Sequence, residues 1–99
     1  MTNDISKKIP TAFDWDEGNI NKNWLKHNVL QEECEQVVVN GPRIFEDFKH
    51  SVTEKRLTAY GETDAGRRLT VVFTIRHLQI RVISARDQNS KEKRKYETE

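Results

Sequence analysis

The chain has 99 residues, 34% hydrophobic and 33% charged, with a formal net charge of +1. A domain of that size buries about two thirds of the surface its unfolded chain exposes, enough for one thin core. No apolar run approaches the ~18 residues that cross a bilayer, no basic start leads into an apolar stretch as in a secretory signal, and the single cysteine, Cys34, can form neither an internal disulfide nor a cysteine-built zinc site. A cytoplasmic setting with no membrane contact is the expectation. The small net charge hides an asymmetry: residues 1–50 carry six Lys and Arg against nine Asp and Glu, whereas residues 51–99 carry eleven against seven. One basic surface on an otherwise neutral body is expected from the second half.

Residues 1–11 are mostly polar and read as an arm; residues 12–99 read as one domain. Phe13 and Trp15 alternate with Asp14 and Asp16, the period of a short strand. From Glu17 to Asn28, Ile20, Trp24 and His27 fall on one helical face beside Leu25, with Asp16 as N-cap and Asn28 as stop. Trp15 and Trp24 are expected to anchor the core. A second helix is predicted from Gln31 to Val39. Its acids crowd the first turn, Cys34, Val37 and Val38 face inward, and Asn40-Gly41-Pro42 ends it. Cys34 there is a small core residue rather than a nucleophile.

Beyond Pro42 the period is closer to two. Strands are predicted over 43–48, 54–61, 68–75 and 79–86, with Asp64-Ala65-Gly66 as a turn, and short connections make an antiparallel meander the simplest topology. Ser90 is the expected cap of a final polar helix from Lys91. The fold class is therefore α+β, two N-terminal helices packed on an antiparallel sheet with a C-terminal helix.

His27, His50 and His77 lack metal-site spacing, the glycines stand alone, and Ser84 has no glycine-flanked elbow, so neither metal nor cofactor is expected. The basic residues carry more. Arg56 shares a strand face with Thr58 and Tyr60, and Arg68 with Thr70 and Thr74; Arg81 and Arg86 bracket the last strand, and Lys91, Lys93, Arg94, Lys95 and Tyr96 follow. Neighbouring strands would display arginines, hydroxyls and an aromatic together, groups that bind phosphate and stack on bases. Parity opposes one part of this. Residues five apart in a regular strand point to opposite faces, so Arg81 and Arg86 share one only if Arg86 lies past the strand end or a bulge intervenes.

FDWDEGNINKNWLKHNV at 13–29, EEC at 32–34, EKRLTAYG at 54–61, RRLTVVFT at 67–74, and RVISAR at 81–86 followed by KEKRKYE at 91–97 stand in an order and spacing that resembles the BrnT family of bacterial type II toxins. The resemblance implies a RelE-like fold and a ribonuclease that cuts RNA to arrest translation. It also implies a BrnA-like antitoxin with a ribbon-helix-helix part, joined in a toxin–antitoxin heterotetramer that meets DNA only through the antitoxin. By position, Arg56, Arg81, Arg86 and Tyr96 match the motifs of the expected active face, with Arg68, Lys91, Arg94 and Lys95 as RNA-binding residues. Three places depart from the pattern: Asn28 replaces a usual glycine, Leu30-Gln31 a serine and phenylalanine, and Leu57 a common tryptophan, which alters packing or base stacking.

The chemistry so implied is metal-independent. A substrate 2′-hydroxyl attacks the adjacent phosphate, which needs a proton acceptor, a donor for the leaving oxygen and positive charge around phosphorus. The arginines supply the charge and Tyr96 acid/base chemistry or stacking, with Glu54 or Glu92 as an alternative base. The alternative reading, favoured by Leu57, is a catalytically weak or inactive member serving as antitoxin partner and co-repressor.

Overall fold

Helix α1 (Gln31–Val39) turns Cys34, Val37 and Val38 inward, at the spacing expected. Its opening N–H groups are met from within: the Leu30 N–H donates to a Glu33 carboxylate oxygen at 3.0 Å. It ends as Asn40 donates its N–H to the Gln36 carbonyl and Gly41 takes φ of 69°, a conformation glycine adopts without a Cβ clash. The computed structural model describes residues 10–20, 27–50 and 54–98. Ahead of α1, residues 17–20 and 27 are helical; the rest of that predicted helix, Trp24 included, lies outside the described residues, as do residues 1–9 of the predicted arm. Asp16 and Asn19 exchange side-chain to backbone hydrogen bonds of 2.8 and 3.2 Å, so Asp16 is the cap expected of it, and Asn28 stops the helix at φ of 53°.

Four strands follow, β1 (Arg43–Glu46), β2 (Leu57–Glu62), β3 (Arg68–Arg76) and β4 (Gln79–Asp87), in one antiparallel sheet of order β1-β2-β3-β4. The predicted meander is correct. The first strand is shorter than expected because Phe48 belongs to a 3₁₀ turn, Phe48–His50. The predicted Phe13 strand is a single parallel bridge to Ile80 on the outer edge of β4, with bonds of 2.8 Å from the Asp14 N–H and 2.7 Å to the Ala12 carbonyl. Helix α2 (Ser90–Thr98) closes the chain. Its cap is Asn89 rather than Ser90: Asn89 and Glu92 bond each other's backbone N–H at 2.9 Å, a reciprocal box that serine one residue later cannot make. Among the described residues, no helix is long and apolar enough to cross a membrane.

The inner sheet face buries Ile44, Leu57, Ala59, Leu69, Val71, Phe73, Ile80, Val82 and Ala85 against Val29 and the apolar side of α1. Burial pushes the Cys34 thiol up to about 12, aided by Glu33 and Glu35, so it stays protonated and unreactive. Trp15 is a rim residue, not a central anchor. It stacks on Phe13 at 6.0 Å and keeps its indole N–H out to Glu35 at 2.8 Å, as an amphipathic ring does.

Contact between α1 and the sheet depends on Gly61. A Cβ there would lie 2.9 Å from a Val37 methyl and 3.1 Å from the Pro42 Cβ. Gly61→Ala is expected to push α1 off β2 at a cost of about 1–3 kcal/mol, read from the denaturant midpoint. Between β3 and β4, His77 and Leu78 both hold left-handed φ, 52° and 63°. That is the two-residue hairpin geometry asparagine and glycine fill without strain. His77→Asn with Leu78→Gly is expected to raise stability by about 1–2 kcal/mol, read as a higher Tm.

Candidate active site

The outer sheet face is a grid set by register. One row crosses all four strands, Arg43, Tyr60, Thr70 and Arg86; the next reads Phe45, Thr58, Val72 and Ser84. Arg81 pairs with Thr74, four residues further along β3, about 13 Å from the first row. Both arginines sit on this face because β4 carries a bulge. Val72 pairs with Ser84 and Phe73 with Val82, leaving Ile83 without a partner. The extra residue keeps Ile80, Val82 and Ala85 in the core while Arg81, Ser84 and Arg86 turn outward.

Helix α2 lies over the first row. Its Glu92 receives both arms of the Arg86 fork at 2.7 and 2.8 Å, plus the Thr70 hydroxyl at 3.0 Å and the Asn89 N–H at 2.9 Å. Burial works against the Glu92 charge, but the bonds from Arg86, Asn89 and Thr70 outweigh it and hold the carboxyl below the ordinary range. One turn on, the exposed Lys95 places its ammonium 4.5 Å from the Phe45 ring centre and 5.7 Å from that of Tyr60. Burial, then the Glu92 charge, raise the Tyr60 pKa, so its hydroxyl stays a donor. Together Phe45, Glu46, Asp47, Thr58, Tyr60, Thr70, Val72, Arg86, Glu92 and Lys95 line a cleft of about 330 Å³.

A larger cleft of about 550 Å³ lies between the Phe13–Trp15 segment and α1. Among the described residues its charged lining is Glu32 and Glu35, which offer a phosphate no counter-charge. The smaller cleft sets a guanidinium, an ammonium, hydroxyls and two aromatic rings beside the carboxylates of Glu46, Asp47 and Glu92, and so holds groups that can meet both phosphates and bases.

The model of the ribonuclease toxin BrnT of type II toxin–antitoxin systems matches residues 15–92, more than three quarters of the chain. The chain belongs to this family. BrnT membership makes RNA the substrate class and implies an antitoxin partner. The matched span holds Phe45, Tyr60, Thr70, Arg86 and Glu92, and ends before Lys95 and Tyr96. No curated protein matches the chain.

Of the positions singled out by sequence in this BrnT chain, Arg86 and Lys95 meet in the cleft. Arg56 precedes β2 with the parity of Thr58 and Tyr60, and its carbonyl accepts the Asp47 N–H at 2.8 Å. Arg81 stands farther along, paired with Asp14 at 3.5 Å and Asp16 at 3.0 Å. Tyr96 lies under the Arg68 guanidinium at 5.7 Å, and its carbonyl accepts from Arg43 at 3.1 Å. Arg68 also bonds Glu62 at 3.1 Å and reaches Glu97. Lys91 and Arg94 are exposed on α2. Glu54, one of the two alternative bases, is taken by Arg76 at 2.6 and 3.0 Å and held below its ordinary pKa by it.

The arginines of the second half are largely paired. Arg68, Arg76, Arg81 and Arg86 each meet a carboxylate, and the partners of Arg81 come from the acidic half of the chain. Leu57, where the family pattern has tryptophan, is 2% exposed within the core, so that departure bears on packing. Phe45 is the contributor that sequence reading missed. Its signal was parity: it alternates with the core residue Ile44, which sends a large aromatic to the polar face.

Proposed function

We propose that the chain cleaves RNA without a metal ion at the Arg86–Glu92 cleft and thereby arrests translation, as a RelE-like toxin of residues 12–99 acting in the cytoplasm. The observation that carries this reading is the Arg86 fork held on Glu92 beside Thr70, Tyr60 and Lys95. A scissile phosphate matches the guanidinium as the carboxylate does and competes for it. Glu92, relieved of its main cation while still partly buried, then becomes more basic and accepts the 2′-hydroxyl proton. The 2′-oxygen attacks phosphorus, the bond from phosphorus to the 5′-oxygen breaks, and Lys95 donates a proton to that leaving oxygen. The products are a 2′,3′-cyclic phosphate and a 5′-hydroxyl.

In this proposal Arg56 and Arg81 hold phosphates flanking the cut, while Arg68, Lys91 and Arg94 extend the track across α2. Of the two roles expected of Tyr96, its place beneath Arg68 supports stacking over proton transfer. The antitoxin is of BrnA type, with a ribbon-helix-helix part, and assembles with the toxin as a heterotetramer that meets DNA through the antitoxin alone. The reading as an inactive co-repressor rested on Leu57, and burial of Leu57 in the core removes that support. Inducing the chain in a bacterium, alone and with its neighbouring reading frame, tests the proposal. Growth arrest relieved by the neighbour is the expected result; growth without arrest would reject toxicity.

A further inference from the structure

Phe45 and Tyr60 hold an arrangement that the cleavage step above does not use. Their ring centres are 6.1 Å apart and tilted by 48°, on adjacent strands of the polar sheet face, both half-buried. Core packing does not explain the pair, since the apolar side of β1 is Ile44 and that of β2 is Leu57 and Ala59. What covers the rings is the ammonium of an exposed lysine, Lys95. A surface cation–π contact of that kind is weak. Stacking of a nucleobase on an aromatic face is stronger and tolerates any base, because every base has a π face. Tyr60 also sits in the same row as Thr70 and Arg86, so a base on the rings belongs to a nucleotide whose phosphate reaches Arg86.

We propose that Phe45 and Tyr60 form a nucleobase-stacking subsite, and that an incoming base displaces Lys95 from their faces toward the phosphate. The inference rests on the cleft being the RNA site, and adds to it the device that fixes which internucleotide bond lies at Arg86. Without a seated base, the strand is held through its phosphates alone and presents no particular bond.

The test uses short single-stranded RNAs, 2′-O-methylated throughout so that the nucleophile is blocked, each carrying an abasic nucleotide at a different position. Binding is followed by fluorescence anisotropy, and cleavage of the unmodified RNAs is followed in parallel. The intact chain should lose about ten-fold in affinity when the base is missing at one position. Phe45→Leu, which keeps apolar bulk but has no π face, should bind the full RNA about ten-fold more weakly and lose its sensitivity to the abasic position, and Phe45→Tyr should restore both. Equal losses on full and abasic RNA, or no loss, would overturn the subsite, even where cleavage persists. If the intact chain neither binds nor cuts these RNAs, the ribonuclease reading of the cleft falls and takes the subsite with it. Binding and base sensitivity without cleavage would uphold the subsite and reject the cleavage mechanism alone.

Discussion

Arg86→Ala is expected to lower the rate of RNA cleavage by about 10²- to 10³-fold and to relieve growth arrest. That is the scale of loss when one fixed donor to a developing oxyanion is removed. Arg86 meets the requirement because the bulge aims it outward and Glu92 fixes both arms of its fork before any phosphate arrives. Arg86→Lys keeps the charge but not the planar fork, and should fall between alanine and the parent. Stability should fall by about 1–2 kcal/mol, since Arg86 is half-exposed but the Glu92 it leaves behind is only 14% exposed and keeps its bonds from Thr70 and Asn89. Purified variants assayed on an end-labelled RNA, with circular dichroism as a fold check, decide the matter. Full activity in the folded alanine variant would remove Arg86 from the chemistry.

The second large effect is on stability. Arg67→Ala is expected to cost about 2–3 kcal/mol, a fall in Tm of roughly 10–20 °C. Arg67 ties three parts of the chain: it donates to the carbonyls of His27 and Asn28 at 3.2 and 2.9 Å, to Glu33 at the start of α1 at 3.1 Å, and to Asp87 at the end of β4 at 2.7 Å. The two carbonyls stand where a helix ends, so removing the guanidinium strands acceptors as well as carboxylates. Lysine cannot reach this set with one ammonium, and Arg67→Lys should recover less than half of the loss. The contact also fixes a pH dependence. Arg67 holds the Asp87 carboxyl below its ordinary pKa, so its contribution is complete above about pH 4 and fades as the pH falls through the lower folded value. Thermal melts between pH 2 and 6 should show Tm falling with acid more steeply in the parent than in Arg67→Ala. Parallel pH profiles would reject this pairing.

How much of this was readable beforehand follows the range of the forces involved. Helix α1, the four strands and the Asp16 cap were legible because period and capping are local, spanning a few residues. The Ser90 cap was misplaced by one residue because serine and asparagine both qualify, and only the return bond from Glu92 separates them. Pairings across the fold were not legible. Arg81 meets Asp16 over 65 residues, and nothing in the order of charges announces which acids a distant strand will face. At the candidate site, the sequence singles out Arg86 and Lys95, Thr58, Tyr60 and Thr70 on the outward strand faces, and Glu92 as one of two bases. Phe45 was hidden because the apolar-rich run at 43–48 holds Ile44, Phe45 and Phe48 together, and only strand parity separates the inward Ile44 from the outward Phe45.

The unpartnered Ile83 leaves β4 one residue longer than the surface it covers. A strand that alternates regularly exchanges its two faces when it is shortened by one residue. Here the same deletion at Ile83 restores regular alternation, with Val82 and Ala85 still inward and Arg81, Ser84 and Arg86 still outward. This stretch of the sheet therefore has slack in its length, and the lost residue would change the twist of the strand beneath Arg86 without changing which way Arg86 points.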